Sequence, residues 1–159
     1  MTIEPIANPT SQILYFHGGA FTVPMNEDQL EMITRIATES ASRIQVADFP
    51  LLPGHSADEI LTFSQSALEL VTDSELRTFI VADSAGAKIA LQLLVNNPGK
   101  IAGTSLISPC WICSSRILRL LLVPTMIFYL TCRLCRKLVA GLMRAPLLNS
   151  GLISLMPVS

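Results

Sequence analysis

Apolar and polar residues alternate in blocks along the first 107 positions, and the blocks change period as they go. Gln12 to Phe16, Arg43 to Phe49, Phe79 to Val81 and Ala102 to Ile107 are short runs rich in β-branched and aromatic residues. Runs of that length and composition predict buried strands. Between them the spacing becomes helical. Asn26 to about Ser42 places Leu30, Ile33, Ile36 and Ala37 on one face, with Asn26 as N-cap and Gln29 three residues on. After the break at Pro50-Leu51-Leu52-Pro53-Gly54, Ser56 and Glu59 have capping-box spacing, and Ile60, Phe63, Ala67 and Leu70 form the predicted buried face. From Lys88 onward, Ile89, Ala90, Leu93 and Leu94 predict a third helix. Strands that alternate with helices of ordinary length argue for an α/β fold, a parallel sheet with helices on both faces.

Composition narrows this further. A chain of 159 residues, half of them hydrophobic and 14% charged, is long enough for one domain with a sizeable core and excludes global disorder. The net charge of −1 conceals a polarity. All twelve acids lie at or before Asp83 with three arginines, leaving −9, and eight Lys and Arg follow Ser84, giving +8. Such asymmetry marks either a tail that faces a membrane or nucleic acid, or a segment that has lost its ordinary sequence. The N-terminus has no basic and apolar leader pattern, so the expected location is cytoplasmic.

Two stretches carry candidate chemistry. In Thr78 to Ala87 a strand runs into Ala82-Asp83-Ser84-Ala85-Gly86-Ala87, small residues around one serine, and then into a helix. The bland reading of Ser84 is an N-cap. The sharp one is a nucleophile elbow, G-x-S-x-G, with Ala82 in place of the first glycine. The strand Gln12 to Phe16 likewise runs into His17-Gly18-Gly19-Ala20-Phe21. Here the alternatives are a plain Gly-Gly turn and an oxyanion hole of backbone N–H groups. Both stretches fall at the carboxyl ends of strands, where parallel sheets bind ligands.

These blocks, in this order with Asp48-Phe49-Pro50-Leu51-Leu52-Pro53-Gly54-His55 and Ser105-Leu106-Ile107-Ser108-Pro109-Cys110-Trp111, resemble the α/β-hydrolase fold-3, or hormone-sensitive-lipase-like, carboxylesterases. The resemblance covers about residues 12 to 112. It implies a partial α/β-hydrolase fold and hydrolysis of a small-molecule carboxylic ester, with neither a cofactor or metal nor nucleic acid involved. It implies Ser84 as nucleophile and the N–H groups of Gly18, Gly19 and Ala85 as oxyanion hole, supported by His17, Asp83 and Gly86. In the family's order the acid and the histidine follow the serine. No Asp, Glu or His follows Ser84, and the only histidines are His17 and His55. A serine without a base is a weak nucleophile at neutral pH. Against the family's pattern, the core strands that normally precede Ile13 are missing and the chain stops where the next core strand would begin, so the expectation is a truncated, impaired esterase. The alternative is a non-catalytic hydrolase remnant that binds a partner or a membrane surface.

Residues 1–112 are therefore expected to form the hydrolase core, and 113–159 a cap-like or divergent segment. Leu118 to Cys132 is apolar, but only 13 residues separate Arg119 from Arg133, short of the roughly 20 that span a bilayer. A membrane-surface helix flanked by arginines and a cap over the site are the two readings. Cys110, Cys113, Cys132 and Cys135 have the spacing of a four-thiolate zinc site. In a cytoplasmic chain the same four fit reduced, buried thiols.

Overall fold

The computed structural model describes residues 1–4 and 8–109, together with the backbone of 126–129. In chain order the elements are β1 (Thr2–Ile3), β2 (Ser11–Phe16), α1 (Glu27–Ser40), β3 (Ser42–Val46), α2 (Ala57–Thr72), β4 (Thr78–Asp83), α3 (Gly86–Asn96), β5 (Gly103–Ile107) and β6 (Met126–Tyr129). The strands form one sheet in the order β1-β3-β2-β4-β5-β6. All neighbouring pairs are parallel except β1 with β3. This is the α/β architecture that the alternating pattern predicts.

Period-two alternation divides the core between the two faces of the sheet. On one face Leu14, Phe16, Ile80, Ala82 and Leu106 meet Ile60, Leu68 and Val71 of α2 and Ile89 and Leu93 of α3. On the other, Ile13, Tyr15, Ile44, Val46 and Val81 meet Ile33 and Ala37 of α1. Each fully buried large side chain contributes about 1.5–3 kcal/mol relative to exposure.

The crossovers explain where a site arises. From β2 the chain passes through α1 to β3 on one side, and from β4 it passes through α3 to β5 on the other. Connections that leave neighbouring strands in opposite directions open a crevice at their carboxyl ends. Here those strands are β2 and β4.

Several expectations need correction. The strand predicted to reach Phe49 ends at Val46, because the chain leaves the ladder after Ala47 donates to the Tyr15 carbonyl oxygen at 2.9 Å and turns Phe49 into the core. Helix α3 starts at Gly86, two residues before Lys88. The buried face of α2 is Ile60, Ser64, Leu68 and Val71, while Phe63 and Leu70 are exposed. Ser64 is accommodated because its hydroxyl donates to the Ile60 carbonyl oxygen at 2.7 Å. On α1, Leu30 is exposed while Ile33 and Ala37 are buried. Strand β1 was not expected; it is two residues long, too short to show a period. Met126–Tyr129, inside the stretch for which a membrane-surface helix and a cap were the two readings, is a strand parallel to β5, with Thr104 opposite Met126 and Ile107 opposite Tyr129. The division at 112, the rest of the 118–132 stretch and all four cysteines lie outside the described residues. Among the described residues no helix is long and apolar enough to cross a membrane.

Candidate active site

Phe16 lies opposite Ala82 in the β2–β4 register, so His17-Gly18 and Asp83-Ser84 leave the sheet side by side. Ser84 has φ +46°, in the left-handed region that residues with a Cβ avoid. That conformation costs about 1–3 kcal/mol and persists only where neighbours over-determine it. The neighbours are visible: the Ser84 N–H donates to the Ile107 carbonyl oxygen at 3.0 Å, and the Ser84 carbonyl oxygen accepts from the Ala87 N–H at 3.3 Å. Ala82 sits two residues earlier, in β4, with its methyl buried in the core. The strained φ of the turn falls on Ser84, so the position of the missing glycine tolerates alanine.

Where the elbow meets the 17–21 loop, glycine is required at two places for lack of room. A Cβ on Gly86 would fall on the Phe16 carbonyl oxygen and lie 2.8 Å from that of His17. A Cβ on Gly18 would fall on Asp83 Oδ2 and lie 3.0 Å from Ser84 Cβ. The elbow and the 17–21 loop thus touch backbone to backbone.

Asp83 ties them together. Its Oδ1 accepts from the Tyr15 hydroxyl at 2.5 Å and from the Gly18 N–H at 2.9 Å, and its Oδ2 accepts from Gln29 Nε2 at 3.0 Å. Burial, and then the hydrogen bond to and the negative charge of Asp83, push the Tyr15 hydroxyl well above its usual range. With both oxygens engaged, Asp83 is a structural carboxylate. The Gly18 N–H is committed to it. The N–H groups of Gly19, Ala20 and Ala85 have no partner among the described residues. Gly19, Ala20 and Phe21 have consecutive positive φ values of 112°, 54° and 63°. The Gly19 carbonyl oxygen closes this loop by accepting from the Thr22 and Val23 N–H groups, both at 2.9 Å. The Leu52 N–H anchors it from outside, donating to the Phe21 carbonyl oxygen at 2.7 Å.

The two histidines stand apart in character. His17 is fully buried, stacked on Phe49 at 4.4 Å between ring centroids, with Nδ1 2.5 Å from the Gly18 carbonyl oxygen. It wedges the loop from beneath, and its Nε2 has no partner among the described residues. His55 is half-exposed at the start of α2, with Nδ1 3.6 Å from Glu59 Oε1. Hydrogen bonds from the Ser56 backbone and hydroxyl, and then the neighbouring His55 imidazole, hold the Glu59 carboxyl below its usual range. Among the described residues no hydrogen bond engages Ser84 Oγ, and no three His, Cys, Asp or Glu side chains cluster as metal ligands.

The structure therefore brings together all seven candidates, Ser84, Gly18, Gly19, Ala85, His17, Asp83 and Gly86. Sequence reasoning missed Tyr15, Gln29, Ala20 and Phe49. Ala20 and Phe49 stood inside quoted blocks. Nothing local in the sequence relates Gln29 to Asp83, 54 residues away.

A serine on a tight strand-to-helix turn, beside a glycine loop at the crevice of a parallel sheet, defines the α/β-hydrolase class. A family model described as the alpha/beta hydrolase fold matches residues 13–120, and the chain belongs to that family, the fold-3 group with its esterases and lipases. Solved structures agree in fold. A Pyrobaculum calidifontis esterase superposes with a TM-score of 0.58 at 21% identity, over 64% of this chain and 37% of its own. An esterase/lipase from an uncultured bacterium gives 0.57 at 25%, over 63% and 36%. A fungal esterase from Rhizomucor miehei gives 0.59 at 18%, over 68% and 38%. The chain thus matches less than two fifths of the length of each. No curated protein matches the sequence.

Proposed function

We propose that the chain carries the nucleophile and oxyanion elements of a carboxylic ester hydrolase, with Ser84 as the nucleophile. The observation that carries this is the left-handed Ser84, held at the β2–β4 crevice beside a loop whose Gly19 and Ala20 N–H groups have no partner among the described residues. In this reading Ser84 Oγ attacks the carbonyl carbon of a small ester, and its proton passes by way of solvent water to the alkoxide that leaves as the alcohol. The Gly19, Ala20 and Ala85 N–H groups donate to the oxygen as it becomes negative. The Gly18 N–H, committed to Asp83, holds the loop instead of the substrate. Collapse of the tetrahedral intermediate expels the alcohol and leaves an acyl-enzyme, which water hydrolyses to the acid and free serine.

The weak point is the base. No acid or histidine follows Ser84, and none of the described residues hydrogen-bonds its Oγ. Oxyanion stabilisation and binding alone retain only about 10³–10⁴-fold of rate over water in serine hydrolases stripped of a triad member. Without a base in reach of Ser84 Oγ, turnover would be slow. The same observation favours a second reading, a hydrolase fold without hydrolysis that binds a partner or membrane surface through residues 113–159. Hydrolysis of p-nitrophenyl butyrate by the wild type and by Ser84→Ala separates the two. Slow release of nitrophenol that vanishes in the variant supports the esterase, and equal rates support the non-catalytic protein.

A further inference from the structure

We propose that Gln29, at the start of α1, is a positioning residue for the oxyanion loop; this rests on the reading of Gly19, Ala20 and Ala85 as the oxyanion donors. One side chain does two jobs. Gln29 Oε1 accepts from the Asn26 N–H at 2.9 Å, completing a capping box in which the Gln29 N–H donates to Asn26 Oδ1, also at 2.9 Å. Its Nε2 leaves the helix altogether and donates to Asp83 Oδ2 at 3.0 Å.

That second bond completes a chain of fixed groups. Oδ1 of Asp83 already serves Tyr15 and Gly18, so Gln29 is what engages Oδ2. With both oxygens held, the carboxylate plane is set, and with it the direction from which the Gly18 N–H approaches. Gly18 has no slack of its own, since its Cα lies too close to Asp83 Oδ2 to carry a side chain. Gly19 and Ala20 follow it directly. The first turn of α1 therefore sets the aim of the loop through Asp83. A donor is needed at this position: a carboxylate facing Asp83 would put two acceptors within 3 Å.

A residue that only capped α1 would behave differently from one that also holds Asp83, and three variants separate these roles. Gln29→Glu keeps the acceptor for the Asn26 N–H and removes the donor. Gln29→Met removes both at similar volume. Asn26→Ala removes half of the capping box and keeps the donor. The readout is amide hydrogen exchange at Gly18 relative to Ile80 in the core of β4, a ratio that cancels any global loss of stability.

The ratio should rise about tenfold in both Gln29 variants, the loss expected of one charge-assisted hydrogen bond, and stay unchanged in Asn26→Ala. Labelling of Ser84 by a fluorophosphonate should slow in the same two variants. An unchanged ratio in both Gln29 variants, or an equal rise in Asn26→Ala, overturns the proposal. If Ser84 does not label even in the wild type, the esterase reading fails, and the exchange ratio still decides the role of Gln29 in holding the loop.

Discussion

The Cβ that Gly86 lacks would fall on the carbonyl oxygen of Phe16, so the first turn of α3 lies flush against the end of β2. This contact sets how closely the Ser84 turn approaches the 17–21 loop. Both partners are backbone on buried elements, and neither can swing aside as a flexible side chain would.

Gly86→Ala is expected to destabilise the protein by about 1–3 kcal/mol, as overpacking does. Helix propensity alone favours alanine over glycine by up to about 1 kcal/mol. Urea denaturation therefore distinguishes the two influences by sign. A gain in stability would mean that α3 and β2 are not in close contact.

Tyr15 predicts a loss of stability in alkali. In the fold, burial and Asp83 keep the phenol protonated far above the usual tyrosine range, whereas in the unfolded chain it ionises near pH 10. A raised folded pKa contributes stability that is complete below about pH 10 and lost as pH climbs beyond it. The wild type should lose more stability between pH 9 and pH 11 than Tyr15→Phe, by up to about 1.4 kcal/mol for one released proton. Equal losses in the two proteins would show that neither burial nor Asp83 holds the Tyr15 phenol protonated.

Two leucines on α2, two residues apart, test the packing of that helix. Leu68 is 0% exposed and Leu70 is 72% exposed. Leu68→Ala should cost about 2–5 kcal/mol, and Leu70→Ser should stay within about 0.5 kcal/mol of the wild type. The reverse order would place the helix on the sheet by its Phe63–Leu70 face.

That pair also shows where sequence reasoning stopped. The existence and order of β2, α1, β3, α2, β4, α3 and β5 follow from period and capping signals, because each element has several apolar positions in register. The face of α2 does not follow. Ile60, Phe63, Ala67 and Leu70 make as good an apolar stripe as the real one, and the real stripe contains Ser64, whose hydroxyl is satisfied inside the helix. At the site, the serine turn and the glycine loop are local features and were legible. The Asp83 network was not, since Tyr15, Gln29 and Asp83 meet only when β2, α1 and β4 are assembled. Gly18 was assigned to the oxyanion hole as part of an HGG sequence, yet its N–H is turned to Asp83.

The central claim is that the elbow presents Ser84 as a nucleophile, and covalent labelling tests it without requiring complete turnover. Protein exposed to a fluorophosphonate, digested and sequenced by mass spectrometry should carry the phosphonyl group on Ser84. The reaction should be slow, as a serine without a visible base demands, and abolished by Ser84→Ala. Modification that survives in Ser84→Ala, or that never reaches Ser84 while the fold is intact, would contradict the account.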